Sequence, residues 1–249
     1  MPSSKSRKSL RRARLKQSLC IVDTCSLVYL NNIELARKPL QKWLWEEFEI
    51  KYSEVILNEF WSFRKKVSFR ENWEDYVWRF PSMEAYERAV FSLHQKKVSR
   101  YCSHCGQISW EYKPFIPNLT EDKDKGERHN CCLTLYAVLE GDYSQIIFLT
   151  DDLQAIRDYA TYFFDLFPLG SIWSLLDFII YLFIRYHKNI SLEDTKNALR
   201  DVNTGPYTAQ ANDEESQDDV RNKESSKKRR RLMTYYNKAE RIFRIFSQM

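Results

Sequence analysis

The stretch Leu19-Cys20-Ile21-Val22-Asp23-Thr24-Cys25-Ser26-Leu27 runs four apolar residues straight into an acid. An apolar run without polar alternation suits a parallel strand buried on both faces. The acid that ends it can cap a helix, and the apolar segment Leu27-Val28-Tyr29-Leu30 follows at once. In open α/β sheets, ligands collect beyond the carboxyl ends of the strands, so Asp23 sits where chemistry is expected. Taken by itself, Asp23 reads equally well as a turn or N-cap residue.

A second run of the same kind lies far downstream. Gln145-Ile146-Ile147-Phe148-Leu149-Thr150 leads into Asp151 and Asp152, and a helical pattern follows through Leu153, Ala155, Ile156 and Tyr159. If the two strands are parallel neighbours about 4.8 Å apart, Asp23 and the Asp151–Asp152 pair project from one sheet edge. Crowded carboxylates repel, and each is costly to keep ionised without a counter-charge. A divalent cation relieves that cost, and oxygen ligands favour Mg²⁺ or Mn²⁺ over softer metals. Two doubly buried strands among helical patterns predict a three-layer α/β fold with a central, mainly parallel sheet flanked by helices.

The intervening chain supplies two more acids. Residues 42–50 read as a helix ending or a strand beginning, and residues 54–61 as an extended entry followed by a helix. Glu59 falls just after that apolar turn and can face Asp23; a solvated helical glutamate is the plain alternative. Gly126-Glu127 opens a strong helix through Cys131, Leu133, Leu135, Ala137, Val138 and Leu139. The anion-favouring end of a helix is by itself enough to explain an acid at Glu127. His129 lies two positions on, off the face of Glu127, and Cys131 and Cys132 suit apolar packing.

The rest of the chain is organised around this frame. Residues 1–17 form a basic tail read as disordered; positions 3–16 hold seven Lys or Arg and no acid. The folded frame covers 18–203, with an aromatic, helical and cysteine-containing insert at about 64–125. Within the frame, residues 171–186 read as an amphipathic helix, and Ser191 with Asp194 as the start of another. Residues 204–231 read as a polar and basic linker, and 232–249 as a basic amphipathic helix. The formal charge is only +5, but the tail and the run Lys227-Lys228-Arg229-Arg230-Arg231 are local polyanion-binding candidates, as are solvated tails generally. The hydrophobic share of 43% allows a real core.

The apolar run from Ile172 to Ile184 contains Asp177 and is too short for a bilayer, so no membrane partner is expected. Six cysteines without regular spacing or a signal peptide suggest a reducing compartment, the cytoplasm. Cys102-x-x-Cys105 makes half of a zinc site. With no second such pair, free or redox-active thiols outrank a structural zinc completed by His94, His104 or a dimer mate.

Strand-Asp23-Thr24-Cys25-Ser26, then Glu59, then Gly126-Glu127, then strand-Thr150-Asp151-Asp152 resembles the PIN-domain ribonucleases. The match is to the toxin-like branch whose third motif is Gly-Glu and whose fourth is Asp-Asp, over residues 18 to 203. The closing helices around Gly170 to Leu176 and Leu192 to Leu199 resemble that branch too. The resemblance implies a Mg²⁺- or Mn²⁺-dependent endoribonuclease. It makes Asp23, Glu59, Glu127 and Asp152 the metal-binding quartet and Asp151 an additional ligand, with Thr24, Ser26 and Thr150 supporting the carboxylates. RNA is the implied substrate, with Arg11, Arg12, Arg14 and the run 227–231 as its basic contacts. A homodimer and an antitoxin-like inhibitor fit the branch as partners. The long insert and the basic tails depart from the compact pattern. The competing reading is a catalytically silent PIN-like module that binds RNA or serves a regulated scaffold.

Overall fold

The computed structural model describes residues 18–62, 77–94, 97–101, 108–112, 125–140, 143–152, 155–156, 170–204 and 218–248. The basic tail with Arg11, Arg12 and Arg14, and the Cys102–Cys105 pair, lie outside the described residues.

Four strands make the central sheet: β1 (Ser18–Val22), β4 (Glu49–Lys51), β7 (Gln145–Leu149) and β8 (Ser171–Trp173), in the order β4-β1-β7-β8. All three pairings are parallel, and β1 lies beside β7 with Ser18 opposite Gln145 and Val22 opposite Leu149. Alternation along a strand sends successive side chains to opposite faces. Cys20, Val22, Ile147 and Leu149 therefore enter one core, while Leu19, Ile21, Ile146 and Phe148 enter the other. Both faces being apolar is why these runs show no polar alternation. Phe148 is wholly buried, and truncating such a side chain to Ala costs about 3–5 kcal/mol.

Helices cover both faces, eight among the described residues. The larger core takes α1 (Thr24–Asn32), α2 (Leu40–Glu47), α3 (Glu54–Ser62), α6 (Leu175–Arg185) and α7 (Leu192–Thr204); α5 (Lys125–Glu140) covers the smaller one. A short antiparallel pair, β2 (Glu34–Leu35) with β3 (Lys38–Pro39), turns through Ala36 and Arg37, both at positive φ. No helix among the described residues is long and apolar enough to cross a membrane.

Besides beginning α3 at Glu54, with no extended entry over 54–61, the structure corrects three element readings. The first four residues of the stretch 171–186 are not helical. Ser171–Trp173 form β8 on the sheet edge, because the Ser174–Asp177 capping box fixes the start of α6 at Leu175. Gly170 leads into β8 at φ +127°, and a Cβ there would stand 1.9 Å from the Ile146 carbonyl oxygen, so no other residue fits. The insert is also not helical throughout: besides α4 (Met83–His94) it contains the antiparallel pair β5 (Lys97–Tyr101) and β6 (Ile108–Tyr112).

The third correction concerns the linker. Helix α8 runs from Asp218 to Ser247, so the basic run 227–231 is helical. Its later turns dock on the frame. Ala239 is fully buried, Tyr235 Oη donates to Asp177 Oδ1 at 2.7 Å, and Lys196 Nζ donates to Glu240 Oε1 at 2.7 Å. Phe246 stacks on His187 at 4.0 Å between ring centroids.

Candidate active site

Asp23 follows the last residue of β1 and caps α1. Its Oδ1 accepts from the Ser26 amide at 2.8 Å, and its Oδ2 accepts from the Thr150 hydroxyl at the end of β7. Parallel pairing of β1 with β7 brings these strand ends together, and the Asp23 amide donates to the Leu149 carbonyl at 3.1 Å. The side chain is 1% exposed. Burial pushes its pKa up to about 8, with the charges of Glu127 and Asp151 pushing the same way against the Thr150 and Ser26 hydrogen bonds. Asp23, Glu127 and Asp151 thus share one electrostatic neighbourhood.

Asp151 accepts from the Leu175 amide at the start of α6, at 3.2 and 3.3 Å, and from Ser26 Oγ at 3.4 Å. Burial raises its pKa to about 6, partly offset by the guanidinium of Arg231, 4.0 Å away. Asp152 is used differently. Its Oδ1 accepts from the Ala155 amide at 3.3 Å, and its carbonyl accepts from Ile156, the pattern of a helix cap. The resemblance gave Asp152 the principal role and Asp151 the additional one; in the structure Asp151 is the one tied to Ser26 and the start of α6.

Glu59 accepts from Thr24 Oγ1 at 2.6 Å, so the residue after Asp23 holds the acid of α3. Gly126 abuts the Glu59 carboxylate, which brings the first turn of α5 against α3. Asn130, fully buried one turn after Gly126, fixes that approach. Its Nδ2 donates to the Val22 carbonyl at 3.1 Å and its Oδ1 accepts from the Ser53 amide at 3.1 Å. Asn130 thereby ties the start of α5 to the end of β1 and the start of α3. Sequence reading passed over it; a polar residue among the apolar positions of α5 was the one signal available.

His129 faces away from the acids, 5.9 Å from the Tyr86 ring between centroids, in a cleft with Trp78 and Phe80; burial lowers its pKa. Cys20, Cys131 and Cys132 are buried, and burial pushes their thiols up, Cys132 to about 12. These thiols are therefore packing groups rather than nucleophiles.

Among the described residues, no three His, Cys, Asp or Glu side chains are gathered as a ready set of metal ligands. Of the quartet, Asp23 and Glu127 interact electrostatically, Thr24 holds Glu59 beside Asp23, and Asp152 Oδ1 accepts from the Ala155 amide. The donor chemistry nonetheless suits a hard divalent cation. The groups are oxygen donors at the carboxyl ends of two adjacent strands, and the most buried of them is pushed toward its neutral form chiefly by burial, with the charges of Glu127 and Asp151 adding to it. Compared against family models, curated proteins and solved structures, the chain matches none of them.

Proposed function

We propose that the chain is a PIN-like, divalent-metal-dependent endoribonuclease. The observation that carries the reading is Asp23: a buried carboxylate at the end of β1, held by Thr150 from β7 and within electrostatic reach of Glu127 and Asp151. A fold spends stability to hold repelling acids together, and a site that needs cationic charge is the usual reason.

In this reading Asp23, Asp151 and Glu127 hold Mg²⁺ or Mn²⁺, with Glu59 beside them. When bound, the cation lowers the pKa of a coordinated water and stabilises charge on the scissile phosphate. The residues of the chain supply position. Thr150 and the Ser26 amide fix both oxygens of Asp23, Ser26 Oγ and the Leu175 amide fix Asp151, and Thr24 fixes Glu59. Water forms the new P–O bond, the ester P–O bond breaks, and the proton lost by water is balanced by one gained by the leaving oxygen. Lys227, Lys228 and Arg231 line a cleft with Asp151 and suit an RNA substrate, whereas Arg229 and Arg230 line a separate cleft with Met233 and Asn237.

The test is incubation of the full chain with RNA, with and without Mn²⁺, beside Asp23→Asn, with mapping of the new ends and the Mn²⁺-induced rise in Tm. Cation-dependent cleavage and a Tm shift, both lost in Asp23→Asn, support the reading. Cleavage that persists in the variant rejects it. A silent RNA-binding module is the second reading, favoured by the capping role of Asp152 and by Arg231 standing at Asp151. It predicts RNA binding with neither cleavage nor a Tm response to Mn²⁺.

A further inference from the structure

Arg231, Tyr235 and Ala239 are spaced by four and lie along one face of α8. Ala239 is buried, Tyr235 bonds Asp177 at the first turn of α6, and Arg231 reaches Asp151, which that same end of α6 holds through the Leu175 amide. The helix is therefore docked where it meets the acids, and the seam sets the height of its basic residues. One turn before Arg231, Lys227 and Lys228 join it in lining a cleft of about 110 Å³ whose other walls include Tyr29, Asp151 and Asn203.

That cleft has an excess of cations. Three basic side chains converge on it, and the acid among its walls is Asp151. Asp151 already accepts from Leu175 and Ser26, so Arg231 adds little to its hydrogen bonding. At 4.0 Å the pair is long for a charge-assisted bond, which is normally about 2.7–2.9 Å. Arg231 is 26% exposed and lines the cleft. A planar fork with two lysines beside it matches a tetrahedral phosphate oxyanion. A docked helix also presents it without the ordering cost that a free tail would meet on binding.

We infer that Arg231, Lys227 and Lys228 form a phosphate subsite for an RNA strand, built into the carboxylate site by the docked C-terminal helix. The inference rests on the proposed function only for the subsite's role beside a reacting phosphate; phosphate binding stands without it. Arg231 would hold the backbone phosphate next to the acids, and the lysines the one following.

The probe is a short fluorescent single-stranded oligoribonucleotide in EDTA, with affinity measured across a salt series. Arg231→Gln should weaken binding about tenfold and reduce the slope of log affinity against log salt by about 0.7, the value for one phosphate on a single strand. Arg241→Gln, exposed further along the same helix, should leave both unchanged. If Arg231→Gln lowers the Tm, the double variant Lys227→Gln, Lys228→Gln carries the test, because both side chains are exposed. Equal losses at 231 and 241 would reveal a diffuse basic arm and overturn the subsite. So would unchanged binding, or tighter binding, in Arg231→Gln. Polyglutamate binding as tightly as RNA, with the same dependence on Arg231, would overturn it in favour of an acidic protein partner. RNA bound through Arg231 without any Mn²⁺-dependent cleavage leaves the subsite standing and removes the nuclease reading. Cleavage with Arg231→Gln binding normally does the reverse.

Discussion

Gly126 leaves the space that the Glu59 carboxylate fills: a Cβ at position 126 would stand 2.9 and 3.0 Å from the two Glu59 oxygens and 2.5 Å from Ile56 Cδ1. The atoms met are the ends of flexible side chains, so the backbone of α3 and α5 need not move. Gly126→Ala should therefore fold, helped by up to about 1 kcal/mol of helix propensity, while displacing the Glu59 carboxylate from the site. The expected result is a Tm within a few degrees of wild type with Mn²⁺-dependent cleavage reduced about tenfold or more. Unchanged cleavage would mean that Glu59 is not part of the working site.

Asp23 gives the site a pH signature. The folded chain holds its proton up to about pH 8, and the unfolded chain releases it near 3.8. Between those values folding takes up a proton, so the stability of the cation-free protein falls as pH rises through the window. Asp151, raised to about 6, adds to the lower part of it. Asp23→Asn keeps the shape, and the Thr150 hydroxyl can turn from donor to acceptor. The Tm of Asp23→Asn minus that of wild type should grow from pH 5 to pH 8 in EDTA. A flat difference would show that Asp23 carries no buried charge.

Asp151 and Asp152 separate by what they hold. Asp151 lies beside Asp23, Ser26 and the start of α6, whereas Asp152 caps the turn at Ala155. Asp151→Asn should abolish cleavage with little loss of stability. Asp152→Asn, which keeps a capping oxygen, should be mild in both, and Asp152→Ala should cost about 1 kcal/mol of stability. Paired kinetics and urea titrations check this; the opposite ranking restores Asp152 to the site.

Glu47 fixes the helix that carries the Leu175 amide. Its side chain is 2% exposed, accepts from the hydroxyls of Tyr181 and Tyr186, and pairs with Arg185 at 2.8 Å. Arg185 is 56% exposed, so solvent screens the ion pair and the phenolic bonds dominate. Glu47→Ala should cost about 0.5–1.5 kcal/mol, the net value of ordinary hydrogen bonds, because the half-buried hydroxyls of Tyr181 and Tyr186 can turn to water. The urea midpoint should fall with m unchanged.

Sequence by itself determined what one-dimensional patterns carry. Leu19 to Val22 and Ile146 to Leu149 are apolar at every position, which only a strand buried on both faces requires, so the parallel sheet and the acids at its edge were legible. Thr24, Ser26 and Thr150 were legible as hydroxyl neighbours of those acids, but their partners are up to 127 positions away and were fixed only by strand register. β8 was illegible because three residues are too few to show a period, and its place at the edge depends on the sheet already being there. Asp151 and Asp152 are adjacent and chemically identical, so only the backbone path after β7 could decide which accepts from the Leu175 amide and which from the Ala155 amide. Asn130 and Arg231 belong to elements far from these strands in sequence, and packing brought Asn130 to the end of β1 and Arg231 to the acid after β7. Composition marked 227–231 as basic; the docking of Tyr235 and Ala239 decided that Arg231, at the end of the run, reaches Asp151.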